Sequence, residues 1–227
     1  MRGVDHDAIN PGAGARRGAV RRSLEFVAMF VAAPSVLAVF MQGWMVFPAI
    51  WLLAAICLAV LLRDPTFDRR QLWNASGVRR GAGIMAVCFG VAAPVLGLGL
   101  LVYEPERMFS LPLERPRLWA IIMVGYPVLS VYAQELAFRA FFFHRYQRVF
   151  TTERSMIVAS AAAFGYAHVI MHNWFAVVFT LVGGLLFAYT YARTRSLLAC
   201  CVEHAVYGCY LFTVGWGWYF YGGSIGR

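Results

Sequence analysis

The chain has 227 residues, of which 61% are apolar and only 14% are charged, and its mean hydropathy is +0.64. Soluble domains average about 45–50% apolar and about 25% charged residues, so the composition excludes a protein that is water-soluble throughout. All 20 cationic residues are arginine and stand against 11 acids, which gives a net charge of +9. Such a charge suits nucleic acid or a membrane surface, and its distribution along the chain decides between them.

Seven apolar segments are long enough to cross a bilayer, which takes about 20 mostly apolar residues in a helix. They are residues 24–42, 44–62, 82–103, 118–143, 156–171, 174–192 and 197–221. The sequence therefore predicts an all-α, polytopic transmembrane bundle of about seven spans. Residues 1–22 are predicted as a disordered cytoplasmic tail and residues 23–227 as a single transmembrane domain. Tight helical hairpins are predicted at Gln42-Gly43 and at His172-Asn173, because nothing longer joins those spans.

The arginines concentrate in alternate connections between the predicted spans. They precede the first span and occupy the second, fourth and sixth connections, whereas the first and fifth connections carry no arginine and the third balances arginines against acids. Because positive residues accumulate on the cytoplasmic side of a membrane, this pattern predicts a cytoplasmic N-terminus. Topology thus accounts for most of the positive charge, and we predict no nucleic-acid partner.

A few polar and ionisable residues interrupt the spans, and they are candidates for a functional site because an unpaired charge inside a bilayer is costly. They are Gln134, Glu135 and Arg139 in the fourth span, His168 in the fifth, and Glu203 and His204 in the seventh. From the helical rise, Glu135, His168 and His204 lie about 15, 20 and 12 Å from the cytoplasmic edge. These three side chains are therefore predicted to meet within a slab less than about 10 Å thick.

Each of these residues also has an interpretation without catalysis. Glu135 and Arg139 are spaced i,i+4, so they can form an internal ion pair that stabilises the fourth span. A single histidine in a span, such as His168 or His204, is often a hydrogen-bonded contact between helices. His172, at the outer hairpin, is either a supporting partner of His168 or a surface residue.

Three motifs resemble those of the CPBP family of intramembrane proteases, which includes the CAAX prenyl endopeptidases and the bacterial Abi-type proteins. The family motif EExxxR is similar to Gln134-Glu135-Leu-Ala-Phe-Arg139, and the motif FxxxH is similar to Phe164-Gly-Tyr-Ala-His168. Residues 183–197, followed by His204-Ala205, resemble the family's glycine-rich helix, its Arg-Thr-Gly-Ser-Leu turn and its HxxxN motif. The resemblance covers about residues 117–208, the core of the family's domain.

The sequence departs from the family pattern at two positions. Gln134 stands where the family has the glutamate thought to activate water, and an amide has no basic oxygen for that task. Gly208 replaces the asparagine or aspartate expected four residues after His204. Three accounts stay open: Glu135 has become the base, Glu203 supplies the missing carboxylate, or the chain is a catalytically silent member of the family.

The resemblance implies an intramembrane endopeptidase that acts on a membrane-associated protein. Peptide hydrolysis requires a base that activates water and donors for the developing oxyanion. We predict Glu135 as the base, Gln134 as a positioning amide, and Arg139 as the charge partner that keeps Glu135 ionised. His168 and His204 are predicted as ligands of the water or the oxyanion.

The cofactor and the compartment are less constrained. His168, His204 and Glu135 would suit a catalytic Zn²⁺ with one open position, but the same groups can also work without metal. The expected partners are the lipid bilayer and a membrane-associated protein or peptide, and the expected location is a bacterial inner membrane.

Three alternatives compete with the protease. In a membrane b-type cytochrome, His168 and His204 would ligate haem, which leaves Gln134, Glu135 and Arg139 without a role. A catalytically silent interaction or immunity protein could use the same scaffold. A proton-coupled transporter is disfavoured, because no span is broken by paired Gly and Pro in two matching halves.

Overall fold

The computed structural model describes residues 11–40 and 45–221, and every regular element within them is helical. Seven helices are long and apolar enough to cross a membrane. Numbered spans 1 to 7 in chain order, they are Gly18–Phe40, Val46–Arg63, Ala75–Tyr103, Pro116–Arg145, Glu153–Met171, Trp174–Thr194 and Leu197–Val214. The predicted all-α fold with about seven spans is confirmed, and the chain is an integral membrane protein.

The ends of several helices differ from the prediction. The first helix begins at Pro11, within the segment predicted to be a disordered tail. Proline is favoured in the first turn of a helix, and the alanines and arginines that follow are good helix formers. Span 3 begins at Ala75 because the side chain of Asn74 caps its N-terminus, and span 7 ends before Gly215, whose φ is +126°. Residues 1–10 and the Gln42-Gly43 hairpin lie outside the described residues.

The second predicted hairpin is present between spans 5 and 6. Span 5 ends in a 3₁₀ turn from His168 to Met171, and His172 adopts the left-handed conformation with a φ of 53°. Asn173 then caps span 6, because its side-chain oxygen accepts a hydrogen bond from the backbone N–H of Ala176 at 2.8 Å. The chain therefore reverses within two residues and brings the ends of the two spans together.

Small residues allow spans 5 and 6 to pack closely along their length. A Cβ atom placed on Gly184 would lie 3.1 Å from the Cα of Ala161, and one placed on Gly165 would lie 2.9 Å from the Cβ of Leu181. Backbones that approach this closely are typical of helix pairs in membranes. The contact holds the FxxxH segment of span 5 against span 6.

Span 4 passes through the centre of the protein. It contains two π-helical turns, Pro127–Val131 and Leu136–Phe141, of which the second is wholly buried. Phe30 of span 1 packs edge-on against Phe138 and Phe142 of span 4, with ring centroids 5.3 and 5.2 Å apart. Span 3 is peripheral, since only 6% of its most apolar 18 residues are buried, whereas the corresponding share for span 7 is 44%. The polar residues of spans 4 and 7 are therefore enclosed by protein.

Candidate active site

The centre of the site is the carboxylate of Glu135, which is fully buried. Its Oε1 accepts a hydrogen bond from Nδ1 of His204 at 2.8 Å, across 69 residues of chain. Its Oε2 lies 3.2 Å from Nε of Arg139, an ion-pair contact without the alignment of a hydrogen bond. Glu135 is the last residue before the buried π turn of span 4, a type of turn that is frequent at functional sites. Its carboxylate therefore contacts a base and a cation and has no exposed surface.

Arg139 is also fully buried, and its guanidinium contacts groups other than Glu135. Its Nη1 donates to Oγ of Ser160 at 3.1 Å and to the carbonyl oxygen of Phe138 at 3.2 Å. The Ser160 hydroxyl donates to the same carbonyl at 2.7 Å. The guanidinium carbon also lies 4.9 Å from the ring centroid of Phe164, within the range of a cation–π contact. Spans 4 and 5 are joined through these contacts.

His204 is held on four sides. While Nδ1 faces Glu135, Nε2 lies 2.9 Å from the hydroxyl of Tyr126 in span 4. The ring stacks on Phe187 with centroids 4.6 Å apart and meets the edge of Phe164 at 5.5 Å. Both ring nitrogens of His204 therefore have a polar partner, and two aromatic rings pack against its imidazole.

His168 is the more accessible of the two histidines, since its side chain is only partly buried. Its Nδ1 lies 2.8 Å from the carbonyl oxygen of Phe164. A carbonyl can only accept, so Nδ1 carries the proton and Nε2 of the neutral ring is an acceptor. The ring of Phe164 lies 4.9 Å from His168 and also contacts His204. The same phenylalanine thus separates and supports both imidazoles.

Gln134 lies beside Glu135 in the sequence but makes different contacts. Its side-chain nitrogen donates to Oγ of Ser130 at 2.6 Å. Its Oε1 is buried and has no hydrogen-bond partner among the described residues. This oxygen is a free acceptor, and an amide oxygen can orient a water but cannot take its proton.

Neither of the two residues predicted as support is hydrogen-bonded to Glu135, Arg139 or His204 within the described residues. His172 is exposed on the hairpin. It follows a 3₁₀ turn that begins at His168, so the two histidines are not one α-helical turn apart on a common helix face. Glu203 is buried in span 7, but no hydrogen bond joins it to His204 or Glu135 in the described part of the chain. Its Oε2 and the hydroxyl of Tyr207, one turn further on, both lack partners there.

The predicted metal ligands do not form a metal site. No group of three or more His, Cys, Asp or Glu side chains is arranged to hold a metal ion within residues 11–40 and 45–221. The Nδ1 atom of His204 faces Glu135 rather than a shared point with His168. The donor set therefore does not fit the proposed Zn²⁺, and we derive no step through a metal.

Sequence reasoning missed three residues of the site: Tyr126, Ser160 and Phe187. Ser160 could have been found, because it is a polar residue in an alanine run two helical turns before His168. Tyr126 and Phe187 carry no such signal, since an aromatic residue in a membrane span is ordinary. Their roles depend on which faces of spans 4, 6 and 7 meet.

Comparison with known proteins gives one match. Residues 116–210 match the family model described as Rce1-like, type II CAAX prenyl endopeptidase. No curated protein and no solved structure gives a significant match. The matched region is less than half of the chain, but it includes spans 4 to 6, most of span 7 and every motif that carries the resemblance. Over this core, the match supports the resemblance of the chain to the CPBP family of CAAX-type proteases.

Proposed function

We propose that this protein is an intramembrane endopeptidase that hydrolyses a peptide bond of a membrane-associated protein, with His168 as the base that activates water. One observation carries the proposal: a fully buried carboxylate in span 4 is hydrogen-bonded to an imidazole of span 7 and paired with an arginine. Buried ionisable groups at this depth are expensive and mark functional sites in membrane proteins. The family match supports a peptidase.

His168 is the best-suited base because its Nε2 is an unprotonated acceptor on a partly exposed ring. In the proposed step, Nε2 takes a proton from water while the water oxygen attacks the peptide carbonyl carbon. The protonated ring then delivers that proton to the departing nitrogen as the C–N bond breaks. The buried acceptor oxygen of Gln134 orients the water.

Glu135 was predicted as the base, but its carboxylate is enclosed and contacts His204 and Arg139. We therefore propose that Glu135 acts through His204. Its carboxylate accepts a hydrogen bond from Nδ1 of His204 and so fixes the orientation of that ring, which we propose as a group that stabilises the negative charge developing on the peptide oxygen. Arg139 pairs with Glu135 and holds it in place. The site works in this proposal without a metal.

The membrane orientation follows from charge. The distribution of arginines supports a cytoplasmic N-terminus, and we propose the bacterial inner membrane as the location. The substrate is then a protein or peptide that enters the site from the bilayer.

A second candidate is a catalytically silent membrane protein that binds its partner on the same scaffold. The amide at Gln134 favours it, because the carboxylate expected from the family pattern is absent at this position. In this case the buried network stabilises the fold and takes no part in hydrolysis.

The two candidates are separated by mapping new protein termini in membranes of cells that express the wild type, His168→Ala, His204→Ala or His144→Ala. His144 is the matched control, since it lies at the end of span 4 and contacts Asp64. We expect termini in the wild type that disappear with either site variant and persist with the control. If all four membranes carry the same termini, the endopeptidase proposal fails. Recovery of one crosslinked partner with wild type and His168→Ala would then support the silent candidate.

A further inference from the structure

The seventh span lacks a side chain where it passes the site. Gly208 lies one turn after His204, so the two residues share a face of span 7, and Gly208 is buried. A Cβ atom built on Gly208 would collide with ring atoms and the hydroxyl of Tyr126. Even an alanine therefore cannot occupy this position while Tyr126 stays where it is.

Tyr126 enters this space from span 4. Its hydroxyl lies 2.9 Å from Nε2 of His204, and its ring meets Phe212 edge-on at 5.5 Å. Pro127 follows it directly and begins a π turn, so the backbone locally departs from regular α-helix where the tyrosine leaves span 4. Tyr126 thus provides both the volume and the polar atom that a side chain at 208 would have provided.

We propose that Tyr126 is a positioning residue for His204, and that it replaces across the helix interface the side chain missing at Gly208. The proposal rests on the proposed function insofar as His204 takes part in hydrolysis. It assigns a role to a residue of span 4 that lies outside the three family motifs. It also explains how a glycine can stand at 208 without leaving His204 unsupported.

The physical basis is the fixing of one ring at two atoms. Glu135 binds Nδ1 and Tyr126 binds Nε2, so the ring plane of His204 is defined by partners on opposite edges. A ring held by Nδ1 alone can tilt about that one hydrogen bond. The hydroxyl of Tyr126 can donate to the neutral ring or accept from the imidazolium, and it therefore holds His204 in both states.

The first test measures spatial complementarity and needs no substrate. Thermal unfolding in detergent is compared for Gly208→Ala, Tyr126→Ala and the double variant, with Gly90→Ala as control, because a Cβ on Gly90 meets nothing within 4 Å. We expect Gly208→Ala to lower the Tm in the wild-type background and to be tolerated in the Tyr126→Ala background, while Gly90→Ala changes little. Equal effects of Gly208→Ala in both backgrounds would overturn the proposal.

The second test removes only the hydroxyl. Tyr126→Phe is compared with Tyr207→Phe, a matched control whose buried hydroxyl has no hydrogen-bond partner within the described residues. We expect Tyr126→Phe to shift the side-chain ¹⁵N resonances of His204 in micelles, and Tyr207→Phe to leave them unchanged. Unchanged resonances in both variants would contradict the proposal whether or not the protein is a protease.

The third test concerns turnover of a membrane protein identified by the terminus mapping. Tyr126→Phe is expected to lower kcat by up to about 10-fold, the worth of one hydrogen bond, with KM nearly unchanged. The double variant Tyr126→Ala with Gly208→Asn is expected to recover part of the activity that Tyr126→Ala loses. A loss confined to KM, or no recovery, would show that Tyr126 does not position His204. If the wild type cleaves nothing, the protease proposal fails while the first two tests still decide this one.

Discussion

Of two ion pairs in this protein, one has the better hydrogen-bond geometry and the other is the more deeply buried. Glu25 and Arg145 form two short hydrogen bonds, of 2.8 and 2.6 Å, with side chains about a quarter exposed. Glu135 and Arg139 meet at 3.2 Å without good alignment, but both are fully buried. The comparison teaches that hydrogen-bond geometry does not determine how much stability is lost when one partner of a pair is removed. A partly exposed partner that is left behind finds water, whereas one left behind in the core does not.

Breaking the buried pair should have the largest effect. Arg139→Ala leaves the carboxylate of Glu135 without its cation, and we expect the free energy of unfolding in detergent to fall by about 3–5 kcal/mol. The double variant Glu135→Leu with Arg139→Met, which removes both charges, should lose clearly less. If the single and double variants are equally destabilised, the buried charge is not the cause.

Removing the hydroxyl of Ser160 should have an intermediate effect. Ser160→Ala takes one hydrogen bond from Arg139 and one from the carbonyl of Phe138, both of them buried. We expect a loss of about 1–3 kcal/mol, measured by thermal or denaturant unfolding. Ser155→Ala provides a contrast at the exposed start of span 5, and a loss as large as that of Ser160→Ala there would argue against a special role of burial.

The partly exposed pair of Glu25 and Arg145 should matter little. For Arg145→Ala we expect a loss of about 1 kcal/mol or less, because water solvates the freed Glu25 carboxylate. Added salt should reduce this difference from the wild type further, since partly exposed charges are screened. A salt-independent loss comparable with that of Arg139→Ala would remove the contrast between the two regions.

Asp64, just beyond span 2, should show the smallest effect, and its signature is the dependence of stability on pH in the acid range. Hydrogen bonds from Thr66, and then from His144, lower the pKa of this carboxyl below its ordinary value of 3.8. The carboxylate therefore stabilises the folded state fully above that value, and the contribution is lost as the pH falls through the lowered pKa. Unfolding as a function of pH should be less acid-sensitive in Asp64→Asn, and an unchanged acid profile would contradict this assignment.

Much of the site could be predicted residue by residue. Glu135, Arg139 and His204 stand out because charges are rare in apolar spans, and helical rise alone places Glu135 and His204 at similar depths. The structure does bring Glu135 and His204 into contact. It also encloses Glu135, which is why we propose His168 as the base in its place, and it puts His172 on an exposed turn. Neither result follows from depth, because depth does not define the direction in which a side chain points.

The sequence by itself determined the number of spans, their approximate limits and which few residues carry charge within them. Those properties depend on local hydropathy and on the fixed rise of a helix. Only the tertiary structure decided the partners of each nitrogen of His204, the enclosure of Glu135 and the entry of Tyr126 into the space beside Gly208. These features depend on how spans 4, 5, 6 and 7 rotate against one another. That rotation arises from close packing at small residues and from π turns, neither of which leaves a periodic signal in the sequence.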